Sequence, residues 1–390
     1  MTVPTSLTRN LIYRAALPVM APSPRGQMHH EFEGELHDLR GYERLLCRHH
    51  VLGASLLLSD GAQTVRVETS VEHPAHAAQS DTLYRVASIT KMATALTVLS
   101  LVADGAFTLD TELRKLLPQA EEKLSGVTVR QLLSHTSGLC DVPEADKALA
   151  EGRTWHDVLA AENILQGKPG AQFRYCNFGF GLLGCLLEQL TGQPLPEIYR
   201  ERLFVPLGMR ATLDASTLEE KRIMPITRVL RYHPGQEVTI TPLGRKPLTA
   251  ADPERHFGHS AGAMYTDAPS LQRLLSLVMQ DGAWEGKQLL PEALIREMKT
   301  KQATYGKLSP GMDYGLGLVL LRDPKLPEHR ILGHQGYAYG CADGAFYEED
   351  AGRTVILLNG GCSEARSGRL GLCNRDILRW ALGKEIPSWQ

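Results

Sequence analysis

Two side chains able to share a proton stand three residues apart in this sequence: Ser88 and Lys91, within Val86-Ala87-Ser88-Ile89-Thr90-Lys91-Met92. A serine hydroxyl is a poor nucleophile until a base takes its proton. A lysine can be that base when burial and neighbouring positive charge lower its pKa toward neutrality. Residues i and i+3 share a helix face, which puts Lys91 one turn from Ser88. The first turn of a helix also offers free N–H groups for an oxyanion. The pair alone specifies little, since on the order of one S-x-x-K arises by chance in a chain this long. The plain alternative is a surface serine and lysine on an ordinary helix.

Further along, Phe173-Arg174-Tyr175-Cys176-Asn177 precedes an apolar run from Phe178 to Leu190. A tyrosine hydroxyl at a cleft mouth can exchange a proton with the serine or the leaving group. An asparagine amide there can hold a substrate carbonyl or the lysine. Equally, Tyr175 reads as a core aromatic and Asn177 as a helix N-cap. Cys176 is a nucleophile only if Ser88 is not, because it has no obvious base of its own. His135 sits between two serines but reads as part of a structural turn behind the central helix. The pair His29-His30 reads as part of a solvated arm and His73/His76 as part of a loop, so no metal is expected.

Positioning these groups requires particular elements. The segment after Ser88 is apolar on almost every side (Ile89, Met92, Ala93, Ala95, Leu96, Val98, Leu99, Leu101, Val102), the mark of a buried central helix, with Gly105 as its stop. The spacing of Phe32, Leu36, Leu39, Tyr42, Leu45 and Leu46 predicts an amphipathic helix over 32–50. A hairpin of Val51–Leu58 and Thr64–Thr69 follows. Residues 141–167 read as helical, 196–209 as a short helix, and 267–280 and 291–300 as two more. The stretch 210–258, rich in proline, reads as irregular and as a border of the substrate pocket. The last third is β-rich: 314–320, 329–334, 340–347 and 354–359 are strand candidates. They follow one another closely, so they pair antiparallel. A helix over about 365–382 covers them. The fold class is α+β.

Composition narrows the function. The chain has 390 residues, 43% hydrophobic and 22% charged, with net charge −2. That balance argues for a globular protein with a sizeable core and against nucleic acid or an anionic membrane as partner. Seven cysteines without a C-x-x-C pair suit a reducing compartment. No stretch approaches the ~20 apolar residues of a membrane span. Arg14 breaks the N-terminal apolar run, so residues 1–30 read as an extension rather than a secretory leader, and a cytoplasmic location is expected.

Three pieces now stand in order: Ser88-x-x-Lys91, Tyr175-x-Asn177 and His334-Gln335-Gly336. Together they resemble the serine β-lactamase and penicillin-binding-protein-like hydrolases, in the branch that joins class C β-lactamases to esterases and D-amino-acid peptidases. Leu132–Leu139, Pro206-Leu207-Gly208-Met209 and Ser260-Ala261-Gly262 support the likeness, which runs from about 35 to 383. The resemblance implies one β-lactamase-like domain over 31–383. Its α/β lobe would take 31–105 and 255–383, its mainly helical lobe 106–254, and the site would lie in the cleft between them. It implies that Ser88 attacks an ester or amide carbonyl and forms an acyl-enzyme. Lys91 and Tyr175 would move protons, with the choice of base left open, and Asn177 would position them. His334, Gln335 and Gly336 would line the site, and the backbone N–H groups of Ser88 and Tyr337 would hold the oxyanion. No cofactor is implied.

The third motif departs from the lactamase K-T-G. Neither a mostly neutral His334 nor Gln335 supplies the positive charge that favours the carboxylate of a β-lactam. The expected function is therefore esterase-like hydrolysis of a small-molecule ester or amide. A D-amino-acid peptidase or β-lactamase is the alternative within the same chemistry, and a catalytically silent binding relative the alternative outside it.

Overall fold

The computed structural model describes residues 28–71, 76–118, 120, 122–229, 238–306 and 309–383. Its frame is a nine-stranded antiparallel sheet. The strands are β1 (Met28–Glu33), β2 (Ala54–Ser59), β3 (Thr64–Val71), β4 (Ala303–Thr304), β5 (Met312–Tyr314), β6 (Val319–Leu321), β7 (Ile331–Ala338), β8 (Cys341–Glu348) and β9 (Arg353–Asn359). Their order across the sheet is β1-β3-β2-β9-β8-β7-β6-β5-β4.

Aliphatic and β-branched runs explain the central strands. In β9, Val355 and Leu357 face a core shared with Leu56, Leu58, Tyr42 and Trp380, while Ile356 and Leu358 face the opposite core with Leu57. Both faces are therefore covered. Helices α1 (Leu39–His49) and α2 (Leu372–Leu382) pack together on one face. Asp38 caps α1 by accepting from the Gly41 N–H, and Trp380 Nε1 donates to the same carboxylate at 2.9 Å. On the other face lies the helix Ala268–Met279, N-capped by Asp267.

The segment that carries the candidate nucleophile enters this second core. A single 3-10 turn, Ala87–Ile89, runs into the helix Thr90–Ala103. Residues 90–99 and 101 of that helix are buried, as its all-round apolar sequence predicts. It packs against Asn177–Thr191 and Leu195–Tyr199. The Asn177–Thr191 helix presses glycine onto backbone: a Cβ at Gly181 would lie 1.9 Å from the Phe257 carbonyl oxygen.

Several expectations change. The sheet begins at Met28, so His29 and His30 belong to β1 rather than to an extension ending at residue 30. The amphipathic helix does not start at Phe32. Met28–Glu33 satisfies the open edge of β3, and the helix waits for its cap at Asp38. His30 bonds the Thr69 hydroxyl and Glu43. His76 is buried against the Thr227 hydroxyl, while His73 lies outside the described residues. The run 314–320 is two strands, because Gly317 takes a positive φ of 69° and turns the chain between them. A two-stranded hairpin, Arg366–Ser367 with Leu370–Gly371, precedes the final helix, which starts at Leu372. Residues 141–167 hold two helices, Pro143–Glu151 and Trp155–Leu159, separated at Gly152.

Leu96 is fully buried in the core beneath the turn that carries Ser88. Leu96→Ala should lower stability by about 2–5 kcal/mol through lost transfer energy and an unfilled cavity. Denaturant unfolding of both proteins measures it.

Candidate active site

Ser88 lies on the 3-10 turn, half-buried, just after a residue in the left-handed region: Ala87 has φ 44°. That conformation disfavours any side chain, and it is held from several sides. The Thr90 hydroxyl donates to the Ala87 carbonyl at 2.6 Å. The Met264 N–H donates in turn to Thr90 Oγ1, and the Val86 N–H to the Met264 carbonyl.

Lys91 Nζ has three neighbours. It lies 3.2 Å from Ser88 Oγ, 2.8 Å from Asn177 Oδ1 and 2.7 Å from the Ala261 carbonyl oxygen. Burial, foremost, pulls its pKa from the usual lysine range down to about 7, with the Asp141 carboxylate pushing the other way. The orientation of Asn177 is fixed. Its Nδ2 donates to Asp141 Oδ2 at 2.7 Å, and a carboxylate only accepts, so Oδ1 must face Lys91. An amide oxygen and a backbone carbonyl likewise only accept. A neutral Lys91 amine therefore spends its two hydrogens on Asn177 and Ala261. Its lone pair is left for the Ser88 hydroxyl, the arrangement a general base requires.

Tyr175 sits on the same group, its ring 4.9 Å from Lys91 Nζ and its hydroxyl close enough to Ser88 to interact with it. Burial pushes the phenol well above its ordinary pKa, so it stays protonated. The His135 ring packs at 4.3 Å from the Tyr175 ring, and its Nδ1 accepts from the Cys176 N–H. His135 thus backs the site from a turn, as its sequence context suggests. Asn177 is not the helix cap. That place belongs to Cys176, whose Sγ accepts from the Gly179 N–H at 3.3 Å. The Cys176 thiol is buried and held far above its ordinary pKa by desolvation, so it is not a nucleophile.

The third motif runs along β7, and alternation splits it between two faces. His334 is buried, its Nδ1 2.7 Å from the Gln335 carbonyl and its Nε2 3.0 Å from the Tyr314 hydroxyl. The carbonyl only accepts, so Nδ1 carries the proton and Nε2 accepts from Tyr314. Burial, then the charge of Lys91, pulls the imidazole pKa down to about 3, and His334 is neutral. Gln335 points the other way and ties the strand to the hairpin, through the Arg369 carbonyl and the Gly371 N–H. Gly336 allows contact with the nucleophile turn: a Cβ there would fall 2.2 Å from the Val86 carbonyl oxygen and 3.3 Å from Ala87 Cβ.

Ser88, Asn177 and Tyr337 line one cavity of about 690 Å³. Its wall also takes in Thr241, Pro242, Leu243, Lys246 and Phe257, so part of the irregular 210–258 stretch borders the pocket as expected. His334, Gln335 and Gly336 do not reach the cavity and act from behind it. Sequence reasoning passed over Asp141, Tyr314 and the Ala261 carbonyl. Asp141 accepts from both the Asn177 and Phe178 backbone N–H groups besides the Asn177 amide. Its only signal was an acid just after Gly138-Leu139-Cys140. Among the described residues no helix is long and apolar enough to cross a membrane, and no group of three or more His, Cys, Asp or Glu could hold a metal ion.

A family model described as Beta-lactamase matches residues 30–366. Esterase EstB of Burkholderia gladioli is 30% identical over 333 residues, which is 77% of this chain and 83% of the esterase. Penicillin-binding protein 4 of Amycolatopsis lactamdurans is 28% identical over 291 residues, 71% of this chain and 74% of that protein. The D-stereospecific amidohydrolase from Streptomyces sp. superposes with a TM-score of 0.68 at 25% identity, covering 89% of this chain and 99% of its own.

The Gly336 contact gives a test. Gly336→Ala should force β7 and the nucleophile turn apart and lower ester turnover by on the order of 10²-fold, with a stability loss of only about 1–3 kcal/mol. Steady-state kinetics beside thermal unfolding separate the two effects.

Proposed function

The chain belongs to the beta-lactamase family and is a serine hydrolase of that type; within it we propose an esterase-like enzyme that opens a small-molecule ester or amide through an acyl-enzyme on Ser88. The carrying observation is the Lys91 amine, whose two acceptor-only neighbours leave its lone pair to Ser88 Oγ. In this reading Lys91 takes the serine proton as Oγ bonds to the substrate carbonyl carbon. The backbone N–H groups of Ser88 and Tyr337 hold the oxyanion that forms. The proton passes by way of the Tyr175 hydroxyl to the leaving alcohol or amine as the scissile bond breaks. Water, deprotonated by the same pair, then attacks the acyl carbon, and Ser88 leaves with a proton.

Asn177 is a positioning residue in this scheme, and Asp141 positions it. His334 and Tyr314 hold β7 against the site without charge. A third motif without positive charge offers no cation at that place for the carboxylate of a lactam. The relatives leave room for a peptidase-like or amidase-like substrate, since one carries the name of a D-stereospecific amidohydrolase. Residues 31–105 with 255–383 would form the α/β lobe, and 106–254 the helical lobe. Seven cysteines, none of them in a disulfide, support a reducing compartment such as the cytoplasm.

Ser88→Ala should reduce hydrolysis of p-nitrophenyl butyrate by on the order of 10³-fold or more, and a fluorophosphonate should label Ser88 in the folded wild type. Turnover retained in the variant would remove Ser88 from the mechanism. The base must be neutral to act, so kcat/KM should rise with pH through an acid limb near 7, the value to which burial brings Lys91. Asp141 favours the charged lysine. Asp141→Asn should therefore move that limb to lower pH, whereas a merely structural role would lower the plateau and leave the limb in place.

A further inference from the structure

The cavity wall carries two cations that the mechanism does not use, Arg85 and Lys246. Arg85 lies three residues before Ser88, on the short strand Tyr84–Arg85, which pairs with Tyr265–Thr266. It lines the same cavity as Ser88. Its Nε and Nη1 are shut off from solvent and find no hydrogen-bond partner among the described residues. The guanidinium is held by an aromatic face: its Cζ lies 5.1 Å from the centre of the Tyr339 ring. Tyr339 itself is 41% exposed at the cavity wall and keeps the left-handed φ of 57° that presents it there.

No ion pair joins Arg85 to an acid among the described residues, although the exposed Asp146 lines the same cavity and the Asp343 carboxyl feels the Arg85 charge. Asp141 is committed to Asn177 and the start of its helix. Asp343 accepts from Asn359, and burial holds its carboxyl well above the usual range, which favours the uncharged acid. Lys246, exposed on the pocket's border segment, adds positive charge to the lining. A half-buried guanidinium on a cavity wall, stacked on an aromatic ring and with no ion pair among the described residues, is a recognition element for an anion such as a carboxylate.

We propose that Arg85 is the specificity-determining residue of this hydrolase and that its substrate is an ester or amide bearing a carboxylate, which seats on the Arg85 guanidinium beside Tyr339. The proposal rests on the Ser88 hydrolase reading. The charge missing from the third motif is thereby supplied by a different element, the strand that leads into the nucleophile turn.

The experiment compares two p-nitrophenyl esters of the same acyl length, the neutral butyrate and the carboxylate-bearing hemisuccinate. Wild type should favour the hemisuccinate by at least ten-fold in kcat/KM, and the preference should shrink with added salt. Arg85→Met should abolish it mainly through KM, and Arg85→Lys should keep part of it. Equal use of both esters by wild type, or an equal loss on both in Arg85→Met, overturns the proposal. A second measurement stands apart from turnover: calorimetric titration of Ser88→Ala with monomethyl succinate. Binding that weakens at least ten-fold on adding Arg85→Met supports the carboxylate seat, and no binding, or binding unmoved by that change, refutes it. Should wild type hydrolyse neither ester, the hydrolase reading fails on its own, and the titration still decides the role of Arg85.

Discussion

The site depends on one amine kept out of water. A lysine side chain inside a protein tends toward its neutral form, and here burial brings Lys91 close to neutrality. A neutral amine is useful only if its lone pair faces the right atom. That orientation comes from two groups that can only accept, Asn177 Oδ1 and the Ala261 carbonyl, reached from two separate parts of the chain. Much of the surrounding structure serves to bring those acceptors to Nζ. Thr94, one turn along the helix from Lys91, donates to the Ser260 carbonyl at 2.6 Å and accepts from the Tyr199 hydroxyl. The Ser260 hydroxyl donates to the Phe180 carbonyl. The segment 260–262 is thus pinned between two helices, and the Ala261 carbonyl has little freedom to turn away.

The third motif works by shape and polarity rather than by charge. Gly336 is required because the strand passes within contact of the nucleophile turn, where no side chain fits. His334 fills the space behind it and is tied by its proton to a backbone carbonyl and by its lone pair to Tyr314. A cation there would be buried beside Lys91, and the two charges would repel in a poorly solvated space. The neutral imidazole leaves Lys91 as the titrating amine of this cluster and keeps positive charge away from the place where a lactamase has it.

Much of the fold was legible from patterning. The helix after Ser88 is apolar on all sides, and its burial followed. Strands near 340–347 and 354–359 were marked by aliphatic runs and a charged turn, and they formed the centre of the sheet. The errors fell where local pattern and tertiary demand conflict. Met28–Glu33 has a sequence compatible with several states, and an unpaired β3 edge made it a strand. Residues 314–320 looked like one strand until Gly317 turned back between two.

What the sequence determined by itself was the set of candidate groups: Ser88 and Lys91 at helical spacing, Tyr175 and Asn177 before an apolar helix, and a glycine two residues after His334. Side-chain type and short-range spacing carry that information, because they set reactivity and which residues share a face. Which groups surround Lys91 was left to the tertiary structure. Asp141, Tyr314 and the Ala261 carbonyl lie far from it in the chain and carry no local pattern, so only packing could bring them into the site. The same holds for Arg85. Its place beside Ser88 could be read from the sequence, but its open donors and aromatic support depend on Tyr339, which arrives from the far end of β7. A hydrogen bond is decided by positions in space to a few tenths of an ångström, and those positions exist only once distant segments have packed.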